Sequence, residues 1–159
     1  LLRLEYEDGK VKDIITDNTW KAAQSAITSS GIYSGENYDA TKENMPWQKA
    51  IITSYNGLLE SQKNPPVKIH EEIAVNRVFK NAKGNWVYDL GQNFSGIIRV
   101  KLEGGRGKTV TFRPAELLNS DSTVNQSATG KYTLSYTLKG GESEEWSPKF
   151  TYYGFRYVQ

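Results

Sequence analysis

The chain has no cysteine, one histidine and one methionine among its 159 residues. Without cysteine there are no disulfides and no thiolate metal sites, and the redox compartment stays open. With His70 alone, histidine pairs and histidine-based zinc sites are unavailable. No apolar stretch approaches the roughly 20 residues a bilayer-crossing helix needs. No run of basic residues exists either: twenty Lys and Arg mix with eighteen Asp and Glu, for a net charge of +2. That balance argues against a nucleic-acid footprint, which requires clustered cations. Sustained helical periodicity is also missing. Only Thr19 to Ser25 and Gly57 to Gln62 suggest short helical turns, each below a length stable by itself.

Aromatic residues, by contrast, are plentiful, with ten Tyr, four Trp and five Phe. They appear within alternating segments. Leu2, Leu4 and Tyr6 alternate with polar residues, as do Ile98, Val100 and Leu102, then Val110 and Phe112, then Tyr132, Leu134, Tyr136 and Leu138. A period of two lines one face of a half-buried strand. Asp8-Gly9, Asn56-Gly57, Lys83-Gly84-Asn85, Gly104-Gly105-Arg106-Gly107 and Gly140-Gly141 interrupt these runs with turn chemistry, and hairpins are the simplest reading. Evenly spaced strands of this kind predict an all-β sandwich or barrel.

The 159 residues fit one domain. Asn64-Pro65-Pro66-Val67 is the one linker-like place, where two subdomains would part. The opening Leu1-Leu2-Arg3-Leu4-Glu5-Tyr6-Glu7 alternates like a strand already under way, without an initiator methionine or signal sequence. The chain reads as an excised piece of something longer. Asn119 to Gly130 is polar and reads as a surface loop. Tyr132, Tyr136, Trp146 and Phe150 read as core, and His70 as a solvated or edge residue on a strand.

The most informative run is Trp86-Val87-Tyr88-Asp89-Leu90-Gly91-Gln92-Asn93-Phe94-Ser95-Gly96. A β-prone segment delivers an acid, two glycines and two side-chain amides into an expected turn, aiming polar oxygens at one point. Other motifs weigh less. Gly104 to Thr109 lacks the first glycine of a phosphate-binding loop and leads into a strand pattern rather than a helix. Asn119-Ser120-Asp121 lacks the glycine and glutamate of an EF-hand. Asn93-Phe94-Ser95 and Asn125-Gln126-Ser127 match the glycosylation pattern, a frequent chance match. Glycoside hydrolysis needs two carboxylates about 5–10 Å apart. Glu36, Asp39, Asp89 and Glu116 are the candidates, and their structural reading is that they cap turns or bridge strands. Asp39, Asn93 and the backbone oxygens after Gly96 are hard donors of the type Ca²⁺ takes. Exposed Trp and Tyr suit sugar stacking, with Trp47 and Trp86 the least settled of the aromatics.

Three segments together resemble one family. Tyr6-Glu7-Asp8-Gly9, Thr16-Asp17-Asn18-Thr19-Trp20-Lys21 and Ile32 to Ala40 are similar to the N-terminal region of bacterial α-L-rhamnosidases. Asp89-Leu90-Gly91-Gln92-Asn93 with Gly96, and Arg113-Pro114-Ala115-Glu116, resemble the β-sandwich that follows it. Trp146 to Tyr157 is similar to that module's closing segment. The resemblance implies an antiparallel β-sandwich of jelly-roll type, ahead of an (α/α)-barrel that carries the catalytic carboxylates. It implies a parent enzyme that cleaves terminal α-L-rhamnose with inversion, and a chain without hydrolase activity of its own. It further implies a carbohydrate-binding role in which Ca²⁺ bridges protein oxygens and rhamnose hydroxyls. Asp39, Asn93 and the main-chain oxygen of Ile98 would hold the metal, while Asp39, Asn93, Gly96 and Trp47 would meet the sugar. Ala40, where calcium-binding members can place an amide, removes one oxygen ligand. The implied partners are rhamnose-containing glycans and the catalytic domain of the same chain, in a secreted or periplasmic setting. A structural spacer without sugar binding is the rival reading.

Overall fold

Strands form where the period-two segments are closed by turns, in a computed structural model that describes residues 2–54, 56–128 and 130–159. Contacts divide the chain into two units, Leu1–Gln24 with Met45–His70, and Ser25–Asn44 with Glu71–Gln159. The first unit holds β1 (Leu2–Glu5), β2 (Val11–Ile14), β3 (Lys21–Ala22) and β6 (Gln48–Lys49). β1 and β2 form the hairpin that Asp8-Gly9 predicts, closed by a Tyr6 N–H to Lys10 carbonyl bond of 2.9 Å. Arg3 and Asp13 face each other across it and pair through two bonds of 2.8 Å. β3 pairs with β6, so residues 19–25 supply a strand instead of the expected helical turn. Residues 57–62 form no helical turn either. No described side chain of this unit is buried.

The second unit contains β4 (Ile27–Gly31), β5 (Gly35–Asp39), β7 (Arg77–Lys80), β8 (Trp86–Gly96), β9 (Val100–Gly104) and β10 (Thr109–Phe112). It continues with β11 (Pro114–Ala115), β12 (Leu117–Leu118), β13 (Val124–Asn125), β14 (Leu134–Thr137), β15 (Gly141–Trp146) and β16 (Tyr153–Val158). Two four-stranded sheets run in the orders β10-β14-β5-β4 and β11-β16-β8-β7. The fold is all-β, as the alternation predicts, with a single 3₁₀ turn at Ala40–Lys42 among the described residues. One pairing departs from the antiparallel rule: β5 runs parallel to β14. There the Tyr38 and Tyr136 rings stack at 5.4 Å, and Ser135 Oγ donates to Asn37 Oδ1 at 2.8 Å.

The core gathers Leu134, Tyr136 and Leu138 with Trp146, Phe155 and Val158, so both sheets and β15 contribute to it. Burying each such apolar side chain contributes about 1.5–3 kcal/mol. Tyr132 is 2% exposed, as expected, but Phe150 is 68% exposed. The adjoining backbone explains this exposure: the Lys149 and Phe150 N–H groups turn inward to the buried Glu36 carboxylate, at 3.1 and 3.2 Å to Oε2.

Lys83-Gly84-Asn85 closes a hairpin between β7 and β8, as predicted. The other two glycine clusters of this unit do not. β9 pairs with β15 and β10 with β14, so the chain changes ladders at 104–108 and again at 138–141. The two turns lie against each other: Gly107 N–H donates to Leu138 O and Leu138 N–H to Lys108 O, both at 2.8 Å. They form a corner through which the pairing continues. Glu144 is 5% exposed and sits inside this corner. Its carboxylate accepts from Tyr136 Oη at 2.9 Å, Lys139 N–H at 3.0 Å and Gly140 N–H at 2.9 Å. Burial opposes its charge, but these three donors outweigh it and hold the carboxyl below its ordinary range. The expected loop at 119–130 also contains structure. β12 and β13 pair across a turn closed by Asn119 N–H to Thr123 O at 2.8 Å. His70 is exposed, as expected, but lies outside any strand.

Candidate functional site

The Trp86–Gly96 run forms one eleven-residue strand, not the expected turn. Its irregularity is a bulge. Phe94 pairs with Phe155 and Asp89 with Tyr157, so Leu90, Gly91, Gln92 and Asn93 stand opposite Arg156 alone. Four residues facing one cannot all keep the ladder: Leu90 packs against the core, while Gly91, Gln92 and Asn93 project outward and are exposed.

Asp89 fixes this projection. It is 7% exposed, and both its oxygens take the Arg156 guanidinium, Nε at 2.7 Å and Nη2 at 3.0 Å. Oδ1 also accepts the Gly91 N–H at 2.8 Å, while the Asp89 carbonyl accepts Asn76 N–H at 2.9 Å. The Arg156 bonds lead in holding this carboxyl below its ordinary range, against burial, with Gly91 adding to them. Gly91 has φ +83, a left-handed conformation in which most side chains are strained. Arg156, which composition alone does not mark as functional, is thus the residue that positions the bulge.

Beside the bulge lies an open depression of about 480 Å³, lined by Ala74, Val75, Asn76, Leu90, Gly91 and Gln92. None of these side chains carries a charge. Among the described residues, the side-chain amides of Asn76, Gln92 and Asn93 make no hydrogen bond with protein, and all three residues are exposed. Asn37, Asn81, Asn119 and Gln126, by comparison, are each tied to a partner.

The residues named from sequence lie as follows. Asp39 ends β5 and caps the 3₁₀ turn, its Oδ1 accepting Thr41 N–H at 3.1 Å and Thr41 Oγ1 at 2.6 Å. Its Oδ2 pairs with Lys42 Nζ at 3.4 Å. The Thr41 hydroxyl is the main cause holding this carboxyl below its ordinary range, with burial opposing and Lys42 adding. Ile98 is 7% exposed, and its carbonyl accepts Ser147 Oγ at 2.8 Å. Asn93 is uncommitted, and Gly96 pairs with Tyr153 where a side chain would collide with the Phe94 ring. Trp47 is 69% exposed and belongs to the first unit. Ala40 and Ile98 share one buried cluster, against which Phe94 packs. The segments carrying Asp39, Asn93 and Ile98 thus join a common core. Two of the three proposed oxygen donors already have protein partners, Asp39 in Thr41 and Lys42 and the Ile98 carbonyl in Ser147. Among the described residues, no group of three or more His, Asp or Glu side chains is placed to hold a metal ion.

Two family models match the chain. The bacterial α-L-rhamnosidase concanavalin-like domain covers residues 79–159, and the α-L-rhamnosidase N-terminal domain covers residues 1–71. An α-L-rhamnosidase of Streptomyces avermitilis is 37% identical over 99% of this chain, which spans 17% of that protein. An α-L-rhamnosidase structure from Dictyoglumus thermophilum superposes with a TM-score of 0.83 at 38% identity, covering 98% of this chain and 19% of that one. The S. avermitilis enzyme complexed with L-rhamnose superposes at 0.82 and 36% identity, covering 98% of this chain and 16% of that one. The chain therefore spans less than a fifth of the length of each of these relatives.

Proposed function

The chain belongs to the family of bacterial α-L-rhamnosidase concanavalin-like domains, and from that premise we propose that it is a non-catalytic glycan-binding module. It would hold rhamnose-bearing glycans for a hydrolase site elsewhere in a parent α-L-rhamnosidase. The observation that carries this reading is the clasped bulge of β8, which presents Asn93 and its neighbours, their amides uncommitted, on a fixed backbone. Side-chain amides both donate and accept, which suits sugar hydroxyls. The L-rhamnose complex of the S. avermitilis relative supports the choice of sugar.

The carboxylates support the non-catalytic half. A general acid for glycoside cleavage needs a raised pKa. Of the candidates named from sequence, Asp39 and Asp89 are shifted the other way, each by partners that stabilise its charge. Binding is proposed to proceed without a metal, because a cation at Asp39 would have to displace Lys42. A single shallow site of this kind has a dissociation constant near a millimolar, about 4 kcal/mol. Calorimetric titration with L-rhamnose tests the reading: heat that saturates, and is lost in Asn93→Ala, supports it. No heat from the unaltered chain sinks it, as does release of rhamnose from an aryl rhamnoside by this chain alone.

A specific observation favours a second reading. The first unit exposes Ile51, Leu58, Val67 and Ile69 at 77–89%, without burying any described side chain. Such a surface suits a structural part that packs against other domains of a parent enzyme. Absence of rhamnose binding, together with stabilisation by those domains, would select it.

A further inference from the structure

From the uncharged depression beside the bulge we infer a second sugar contact: Asn76 and Gln92, both in its lining, grip a neutral pyranose ring adjoining Asn93. This rests on the glycan-binding reading and extends it to Asn76, which neither the family matches nor the sequence motifs single out.

The walls are preorganised by a single residue. Asp89 ties the 74–76 segment through its carbonyl and the bulge through its carboxylate. The spacing of the two segments is therefore set through Asp89, whose carboxylate pairs with the partly exposed Arg156, rather than by loop flexibility. The bulge and the 74–76 segment lie within van der Waals reach of each other: a Cβ at Gly91 would stand 3.4 Å from Asn76 Cβ. A site held in its bound shape loses less freedom when a ligand enters.

The lining selects the ligand class. Ala74, Val75, Leu90 and Gly91 offer apolar or backbone surface, while Asn76 and Gln92 offer amides. A phosphate or a carboxylate would find no cation in this lining, and a purely apolar ligand would strand both amides. A neutral sugar satisfies both halves: its hydroxyls exchange hydrogen bonds with the amides, and its C–H face covers Val75, which is 47% exposed.

The test follows side-chain amide signals in the ¹⁵N-labelled 159-residue chain during titration with L-rhamnose. The expected result is that the Asn76 and Gln92 NH₂ resonances and the Gly91 backbone signal move together and saturate. The Asn76→Ala/Gln92→Ala double variant should then bind about tenfold more weakly, as expected for two lost neutral hydrogen bonds. Both altered side chains are exposed and unpaired, so the fold should be unaffected. Shifts confined to Asn93 and the Asp39 segment, or unchanged affinity in the double variant, overturn the second contact and leave the glycan-binding reading standing. No saturating shift anywhere overturns both.

Discussion

The Arg156 guanidinium grips both oxygens of the Asp89 carboxylate; Arg156 is the one β16 residue within the mismatch with β8, and Asp89 stands at its edge. One half-exposed cation thereby secures a bulge in which four residues face one. Removing the cation leaves a carboxylate that is 7% exposed with only the Gly91 N–H to satisfy it.

Arg156→Ala should therefore destabilise the second unit by about 3 kcal/mol, the low end for breaking a buried pair, because the arginine is partly solvated. Arg156→Lys keeps the charge but loses the two-pronged geometry, and should fall between. Denaturant titration reads both. Rhamnose affinity should fall in the same order, since the bulge presents the amides. Equal stability of all three proteins would show that the clasp does not hold the bulge.

The corner at 104–108 and 138–141 makes a separate prediction through Glu144. Its folded carboxyl is held below the ordinary value, so its contribution is fully present above about pH 4.3. The contribution is lost as the pH falls through the folded value. Asp89 is shifted in the same direction and adds to the same loss. Stability should thus stay flat from neutral pH down to about 5 and then drop. Glu144→Gln removes part of the acid dependence and costs about 2 kcal/mol at neutral pH, because one amide group must face donors from Lys139 and Gly140. Thermal melts of both proteins across this range check the sign.

The alternating runs announced the strands because period two is a local property of the chain. Leu134 and Tyr136 could be assigned to the core on that basis alone. Turn residues proved ambiguous at the glycine clusters of 104–107 and 140–141. A glycine marks where the backbone bends, yet it does not say whether the strands on either side pair with each other or with a second bent ladder. The parallel β5–β14 pair joins residues about a hundred positions apart, and no local pattern encodes it. The Asp89 bulge was half legible: the polar cluster stood out, whereas its arginine partner lies 67 residues away. Phe150 was misplaced because its side chain was judged by type, while the buried Glu36 claims its backbone.

Calcium dependence can be predicted from Asp39. A metal bound only to the folded chain stabilises it by about 2.7 kcal/mol when present at a hundred times its dissociation constant. With Thr41 and Lys42 already on the carboxylate, and Ile98 O taken by Ser147, added Ca²⁺ should leave both the melting temperature and rhamnose affinity unchanged. Melts and titrations in Ca²⁺ and in a chelator decide this. A clear rise in either with Ca²⁺ would show that the cation displaces Lys42.

Gly35 offers the sharpest test of the parallel pairing. Its φ is +89, and a Cβ built there would overlap the carbonyl oxygen of Thr133, just before β14. The obstacle is backbone, so no side-chain rotation relieves it. Gly84 has nearly the same dihedral, φ +78, but open space around its missing Cβ. Gly84→Ala should therefore cost only the left-handed strain, about 1 kcal/mol. Gly35→Ala should cost that strain plus the displacement of β5 from β14, about 3 kcal/mol or more in total. Because β5 carries Tyr38 and Glu36 into the core, the larger loss should come with weakened stacking of Tyr38 on Tyr136, read in near-ultraviolet circular dichroism. Equal costs for the two alanine variants would mean that β5 does not lie against Thr133, and that the first sheet is ordered differently.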